Sequence, residues 1–466
     1  MTSIRISLTP RRLTGSRSVS PESGIPGAPS YPSPGRAWWA VALLLALYVL
    51  SFVDRQVINL MVAPIRAEFA IGDLGVSLLM GFAFAAFYTF FGIPIARLAD
   101  SRSRRGIIAV GLAIWSAATG ACGLARTYTT LLLARMGVGV GEAALSPAAY
   151  SLLADSFPPR RRGTAMGVYS MGSYLGSGLA LLLGGYLIAF VGENRTHEVP
   201  IVGPMRSWQL VFLLVGIPGL LLVPLLATVV EPARGRSSGG IPFRETLRYF
   251  SENRAAFLTH NLGFALLAFS GYGSAAWLPT FLQRDHGMSA AESGIALGWI
   301  MATAGTLGIV FGGWLADRFA AGGRRDATMR VGLVASLVWI PSGVLYALVE
   351  DKSLALVLLV PTLFTSGMPW GAAAAAVQEM TPGPMRAQAT AVYLFAINLI
   401  GLGIGPSAVA YLTQNVYRDD FAVRYSLVWV ALAAHVAAAA FLCVGLRPFA
   451  RARERSDAWI DLSAPR

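Results

Sequence analysis

Apolar stretches of about twenty residues, parted by short segments rich in charge, glycine or proline, recur along the whole chain. They lie near residues 37–63, 74–98, 106–125, 129–154, 163–190, 208–230, 256–282, 291–316, 328–349, 352–378, 385–414 and 423–446. The ten-residue alternating pattern of a membrane barrel is absent. In hydrocarbon no water takes up exposed backbone N–H and C=O groups, so each stretch must satisfy them internally as a helix. The pattern therefore predicts an all-α membrane protein with twelve transmembrane helices. It divides into two similar blocks of six, residues 37–230 and 256–446, joined by a cytoplasmic linker at 231–255 and flanked by cytoplasmic tails at 1–36 and 447–466. The expected architecture is two pseudo-symmetric six-helix bundles.

Composition agrees with lipid as the solvent: 55% of the 466 residues are apolar, 13% are charged, and mean hydropathy is +0.59. A net charge of +13 raises the question of nucleic acid, which the placement of the arginines answers. Alternate loops hold Arg102, Arg104 and Arg105; Arg160, Arg161 and Arg162; Arg234 to Arg254; and Arg318, Arg324, Arg325 and Arg330. The opposite loops carry only singles or pairs. This is the positive-inside asymmetry, which places the chain in the inner membrane with both termini and the linker in the cytoplasm. No base-stacking aromatics interleave with the clusters, so no nucleic-acid partner is expected. Cys122 and Cys443 both lie inside spans and the four histidines are scattered, so neither a disulfide framework nor a metal site nor a cofactor is expected. The first 36 residues are rich in Arg, Ser, Pro and Gly and lack a signal-peptide core; they read as disordered.

Two segments repeat. Ala96-Arg97-Leu98-Ala99-Asp100-Ser101-Arg102-Ser103-Arg104-Arg105 returns 217 residues later as Gly313-Trp314-Leu315-Ala316-Asp317-Arg318, with Arg324-Arg325 behind it, each copy closing an apolar span. A repeat at equivalent points of two hydrophobic blocks marks a duplicated bundle of the kind that transporters use. The motif resembles the loop between helices 2 and 3, and again 8 and 9, of the major facilitator superfamily; Ala96, Ser101 and Ser103 depart from its usual pattern. Asp100, Arg104, Asp317 and Arg318 are accordingly candidates for a cytoplasmic gate, a carboxylate meeting a helix N-terminus or an arginine of the other half. Arg135-Met136-Gly137-Val138-Gly139-Val140-Gly141-Glu142 is similar to that superfamily's Arg-x-x-x-Gly-x-Gly element in helix 4. Glycines crowd the fifth span (Gly167, Gly172, Gly176, Gly178, Gly184, Gly185) and the eighth (Gly294, Gly298, Gly305, Gly308, Gly312, Gly313) at spacings that let helices approach closely; plain tight packing accounts for this, and the functional alternative is that these spans line the interface between halves.

Asp54 and Arg55 fall inside the first span, Arg135 and Glu142 inside the fourth. Each costs about 2.5–3.5 kcal/mol at the bilayer centre when alone, so they must pair or meet water. The two spans run in opposite directions, which puts Asp54 between Arg135 and Glu142 in depth, and seven residues return a helix to nearly the same face. One polar cluster facing a central cavity is expected. Its four charges sum to zero, so protonation of Asp54 or Glu142 leaves room for an anionic headgroup beside Arg55 or Arg135.

Within the superfamily, Ser51-Phe52-Val53-Asp54-Arg55-Gln56-Val57-Ile58-Asn59 looks like helix 1 of the spinster-like branch, and Arg135 through Glu142 with Ser146-Pro147 fits it. That resemblance implies a proton-coupled transporter moving an amphipathic anionic lipid, of lysophospholipid or sphingosine-phosphate type, by alternating access. Tyr169, Tyr174, Trp370, Tyr393 and Asn398 are the candidates for the cavity wall. A polyspecific drug or organic-anion/proton antiporter of the same fold is the alternative. A monomer is expected. No nucleophile–base pair, metal set or phosphate-cradling loop points to an enzyme.

Overall fold

The structure, a computed structural model, describes residues 31–193, 195–200, 202–232 and 242–463. Long helices account for nearly all of them. The spans are α1 (Pro34–Leu60), α2 (Asp73–Ala99), α3 (Arg104–Gly123), α4 (Tyr128–Glu142, resumed as Leu145–Ser156), α5 (Arg160–Val191), α6 (Ser207–Thr228), α7 (Arg254–His286), α8 (Ala290–Ala321), α9 (Ala327–Leu348), α10 (Lys352–Glu379), α11 (Gly383–Tyr417) and α12 (Asp420–Trp459). Among the described residues ten of these are long and apolar enough to cross a membrane; α4 and α7 lie where the sequence places the fourth and seventh spans.

Local chemistry sets the ends and breaks. Ser103, Thr127, Ser289 and Asp351 each accept a backbone N–H of the following turn and so start α3, α4, α8 and α10. The break in α4 falls at Ala143-Ala144, four residues before Pro147, which has no N–H to return to the Ala143 carbonyl. In α2, α8 and α11 the backbone widens into π-helical turns at Leu78–Phe82, Met301–Gly305 and Ile397–Ile404. Such turns recur at functional positions in helices. A short antiparallel hairpin, β1 (Thr196–Val199) and β2 (Gly203–Arg206), joins α5 to α6.

The linker ends in an amphipathic helix, Phe243–Glu252, whose Tyr249 hydroxyl donates to the carbonyls of Met380 and Ala452. The final helix does not stop at the sequence-derived span limit; it continues unbroken to Ser463.

The halves meet along α5–α8 and α2–α11, and glycine makes the contact possible. A Cβ on Gly178 would lie 2.5 Å from the backbone N of Ala302, one on Gly298 2.6 Å from that of Leu182, and one on Gly81 2.4 Å from the Leu402 carbonyl. These positions all lie toward the end of the bundle opposite Pro34, where α1 begins, hereafter the far end. Polar contacts between the halves gather there too. Arg284 grips Asp73 with two 2.7 Å hydrogen bonds, Arg66 lies 3.1 Å from Asp73 and 2.7 Å from Asp420, Gln414 accepts from Leu74 N, and Ser77 donates to Ser407. Asp73 is buried at the centre of this network.

Candidate functional site

The intramembrane charges of the first half come together where α1, α2, α3 and α4 converge. Arg55 Nε donates to Glu142 Oε2 at 2.6 Å, and Nη2 lies 2.5 Å from the same oxygen. Arg135 instead serves backbone: Nε donates to the Leu79 carbonyl at 3.1 Å and Nη1 to the Asp54 carbonyl at 2.9 Å. Neither carboxylate oxygen of Asp54 has a hydrogen bond of ordinary geometry among the described residues, the indole N–H of Trp115 on α3 being the donor beside it, and Arg135 Nη2 and Glu142 Oε1 are unpaired in the same sense.

Exposure separates the four. Asp54, Arg135 and Glu142 are sealed at 1%, 0% and 1%, whereas the Arg55 side chain keeps 16% of its surface. The expectation that the whole cluster faces a wet cavity is therefore corrected. Helix packing is the reason: a Cβ on Gly139 would sit 2.6 Å from the Phe84 carbonyl of α2, and one on Gly141 2.5 Å from the backbone N of Trp115 on α3. The two glycines let α2 and α3 close over Arg135 and Glu142. Arg55 alone reaches past this seal, its guanidinium 4.6–5.3 Å from the ring centres of Phe52, Phe84 and Tyr88. Cation–π contact of this kind holds a weakly hydrated charge beside apolar surface.

A central cavity lies between the halves, lined by Phe52, Gln56, Ser173 and Ser177 from the first and by Tyr272, Ser274, Trp339, Thr362, Ser366 and Trp370 from the second, among others. Hydroxyls and aromatic faces make this wall, and none of its lining residues is charged. Of the expected wall residues Trp370 is in place, edge-on to Tyr272 at 5.6 Å. Tyr169 is fully buried behind the wall, stacked on Tyr48 at 4.9 Å, and Tyr393 is buried against His260; both are set back because neighbouring aromatics fill the space before them. Asn398 is half-buried in the π-helical part of α11. The side chain of Tyr174 lies outside the described residues.

Among the described residues no ion pair of the expected cytoplasmic gate joins the two halves. Asp317 and Arg318 are exposed, and the Asp100 side chain lies outside the described residues. Arg104 stays within its own half: it binds Asp155, the Ser151 and Pro232 carbonyls and Glu231, tying α3 to the ends of α4 and α6. Partial burial pushes the Glu231 carboxyl up, but hydrogen bonds from Ser103 and Arg104 outweigh this and hold it below the usual range. What sequence reasoning missed is the far-end network of Arg66, Asp73, Arg284 and Asp420. Its signal was charge flanking the loops that join the first span to the second, the seventh to the eighth and the eleventh to the twelfth.

Two six-helix halves, clamped at one end around a central cavity with buried charges beside it, define a membrane transporter. The family model described as Major Facilitator Superfamily matches residues 44–406 and again 262–459, and the chain belongs to that superfamily. Within it the chain is similar to spinster proteins. A solved structure titled as a bacterial homolog of the human lysosomal transporter Spinster, inward-facing and unoccupied, is 29% identical, superposes with a TM-score of 0.74, and is covered over 98% of its length by 91% of this chain. An MFS-type efflux pump of Mycolicibacterium smegmatis is 29% identical, covering 91% of this chain and 95% of the relative. Protein spinster homolog 1 of Bos taurus is 27% identical over 88% of this chain and 81% of its own.

Proposed function

We propose that this transporter moves an amphipathic anionic lipid, of lysophospholipid or sphingosine-phosphate type, by alternating access driven by protons, in the inner membrane with both termini cytoplasmic. The observation that carries this reading is the division of labour at the charge cluster: a sealed carboxyl without an ion-pair partner among the described residues, and a partly exposed arginine packed on Phe52, which lines the cavity. A carboxyl buried without partners is least costly as the neutral acid. When the helices around Asp54 part, it releases its proton; when they close, it takes one up. Glu142 shares Arg55, so an anionic headgroup that draws on Arg55 competes with Glu142, and the proton on one acid and the negative charge of the cargo balance each other. One proton moving down 100 mV supplies ~2.3 kcal/mol, enough for about a 50-fold substrate gradient at tenfold per ~1.4 kcal/mol. The hydroxyls and aromatic faces of the cavity suit the glycerol or amide portion and the start of an acyl chain. With the far end clamped, the cavity in this state serves the opposite end, the cytoplasmic side by the arginine asymmetry.

The efflux-pump relative favours a second reading, a polyspecific drug or organic-anion/proton antiporter. Proteoliposome counterflow separates the two. Offered lysophosphatidylglycerol, sphingosine phosphate and a cationic dye under a pH gradient, the protein is expected to move the two lipids; movement of the dye alone overturns the lipid reading.

A further inference from the structure

A second cavity, of about 220 Å³, opens at the far end under the β1–β2 hairpin, well away from the Asp54 cluster. Its floor is apolar, with Leu60, Met61 and Ile188 among its residues, and its rim carries Glu68, Glu193, Arg195 and Arg206. The two rim carboxylates already have partners: Glu68 lies 3.3 Å from Arg206, and Glu193 accepts the Ala291 N–H that opens α8. Arg195 is not matched in this way. Among the described residues its guanidinium meets no carboxylate, and it folds back over Gly192, where a Cβ would lie 2.9 Å from its Cδ. Trp208, 3% exposed, also lines the cavity, and its indole N–H finds no acceptor. An exposed arginine not engaged in an ion pair, and a buried donor without a partner, above an apolar floor, leave room for one chemistry.

We infer that this cavity binds a small organic anion, a carboxylate or phosphate monoester on an apolar body of about ten heavy atoms, with the anionic group at Arg195 and Trp208. At roughly 30 Å³ per water the space equals about seven waters, too little for a whole lipid but enough for a free aromatic acid or the head of one. The walls come from both halves, since Gln283 and Ala290 of the second close the cavity against Leu60 and Glu193 of the first. The site therefore exists only while the far end is shut. A ligand that prefers one state shifts the population toward it, so occupancy holds the transporter in this arrangement and slows the cycle from the far side. This consequence rests on the alternating-access reading above; the binding itself does not.

The test uses purified full-length protein and 3-phenylpropionate, with binding read by tryptophan fluorescence and, separately, inhibition of counterflow. Expected are saturable binding of 3-phenylpropionate, no measurable binding of 3-phenylpropanol, which lacks the charge, or of inorganic phosphate, which lacks the body, and at least a tenfold loss of affinity in Arg195→Gln. Ala67→Trp, which fills the mouth from an exposed position, should lose binding as well. Lysophosphatidylglycerol competing with 3-phenylpropionate identifies a lipid head as the source, and lack of competition a free acid. Equal affinity in wild type, R195Q and A67W overturns the inference, as does binding that disappears in Asp54→Asn, which assigns it to the central cluster. Binding intact without inhibition leaves the site in place and overturns only its hold on the cycle.

Discussion

The two halves share a fold and a repeated loop motif, yet they differ in what they bury. The first half encloses Asp54, Arg135 and Glu142 deep within the membrane, with Arg55 at the edge; the second half, among the described residues, buries hydroxyls, His260 and His435 there, and its buried carboxylate Asp285 lies at the far end of α7, paired with Arg424. His435 lies flat on Trp339, 4.0 Å between ring centres, and spends its Nδ1 on the Ala431 carbonyl, an arrangement of packing. The repeated scaffold depends on shape, while charge deep in the bundle lies in the first half alone among the described residues, since each ion buried costs several kcal/mol unless matched. One charged half and one neutral half can move against each other without rupturing an ion pair at the membrane centre. Breakage falls instead on the far-end network, where water can replace the lost partner.

The sharpest test of this asymmetry contrasts the two acids. Glu142→Ala strands Arg55 beside a sealed space, and breaking such a pair costs about 3–5 kcal/mol; thermal melting in detergent should show this loss together with loss of transport. Asp54→Asn replaces an unpartnered carboxyl with its isostere, so the melting temperature should hold while movement driven by a pH gradient disappears. Unchanged pH-driven uptake in that variant removes Asp54 from the coupling role. Next in size, Asp73→Asn takes the shared acceptor from Arg284 and Arg66. Labelling of a cysteine placed at Ser407 should then accelerate about tenfold as the far end opens, within the usual range of coupling energies; an unchanged rate means that the glycine contacts hold this end by themselves.

A smaller effect is expected at the Arg104 clamp. Because the folded-state carboxyl of Glu231 is held below its ordinary range, its contribution is present above the unfolded value and is lost as pH falls through the folded one. Glu231→Gln should lower the melting temperature by roughly 1–3 °C at neutral pH, with the gap to wild type closing in acid. The least change is expected in the second half. His435→Phe keeps the stack on Trp339 and forfeits one hydrogen bond, about 1 kcal/mol, and pH-driven transport should be unaffected; a shifted pH profile there would break the division between a charged and a neutral half.

Much of the site was legible because the cost of a charge in hydrocarbon does not depend on the details of the fold. Asp54, Arg55, Arg135 and Glu142 were expected to gather, and opposed helix directions put Asp54 between Arg135 and Glu142 in depth; Arg55 and Glu142 pair, while the Asp54 carboxyl meets no cation among the described residues. Less legible was how they share those partners. Arg135 binds two carbonyls and no carboxylate, a choice made by backbone positions on α1 and α2 that periodicity does not encode. Tyr169 and Tyr393 were read as cavity wall from type and depth, but whether an aromatic faces a space or fills it depends on neighbours such as Tyr48 and His260.

The run of apolar residues determined a helical membrane bundle, its division into halves and the need for its buried charges to gather, because bilayer thickness and backbone hydrogen bonding act on each segment separately. Tertiary structure alone decided that Gly139 and Gly141 seal the cluster, that Arg55 emerges from it, and that Asp73 and Arg284 clamp the far end. These are meetings between surfaces distant in sequence, set by how closely two helices approach, and no single segment carries that distance.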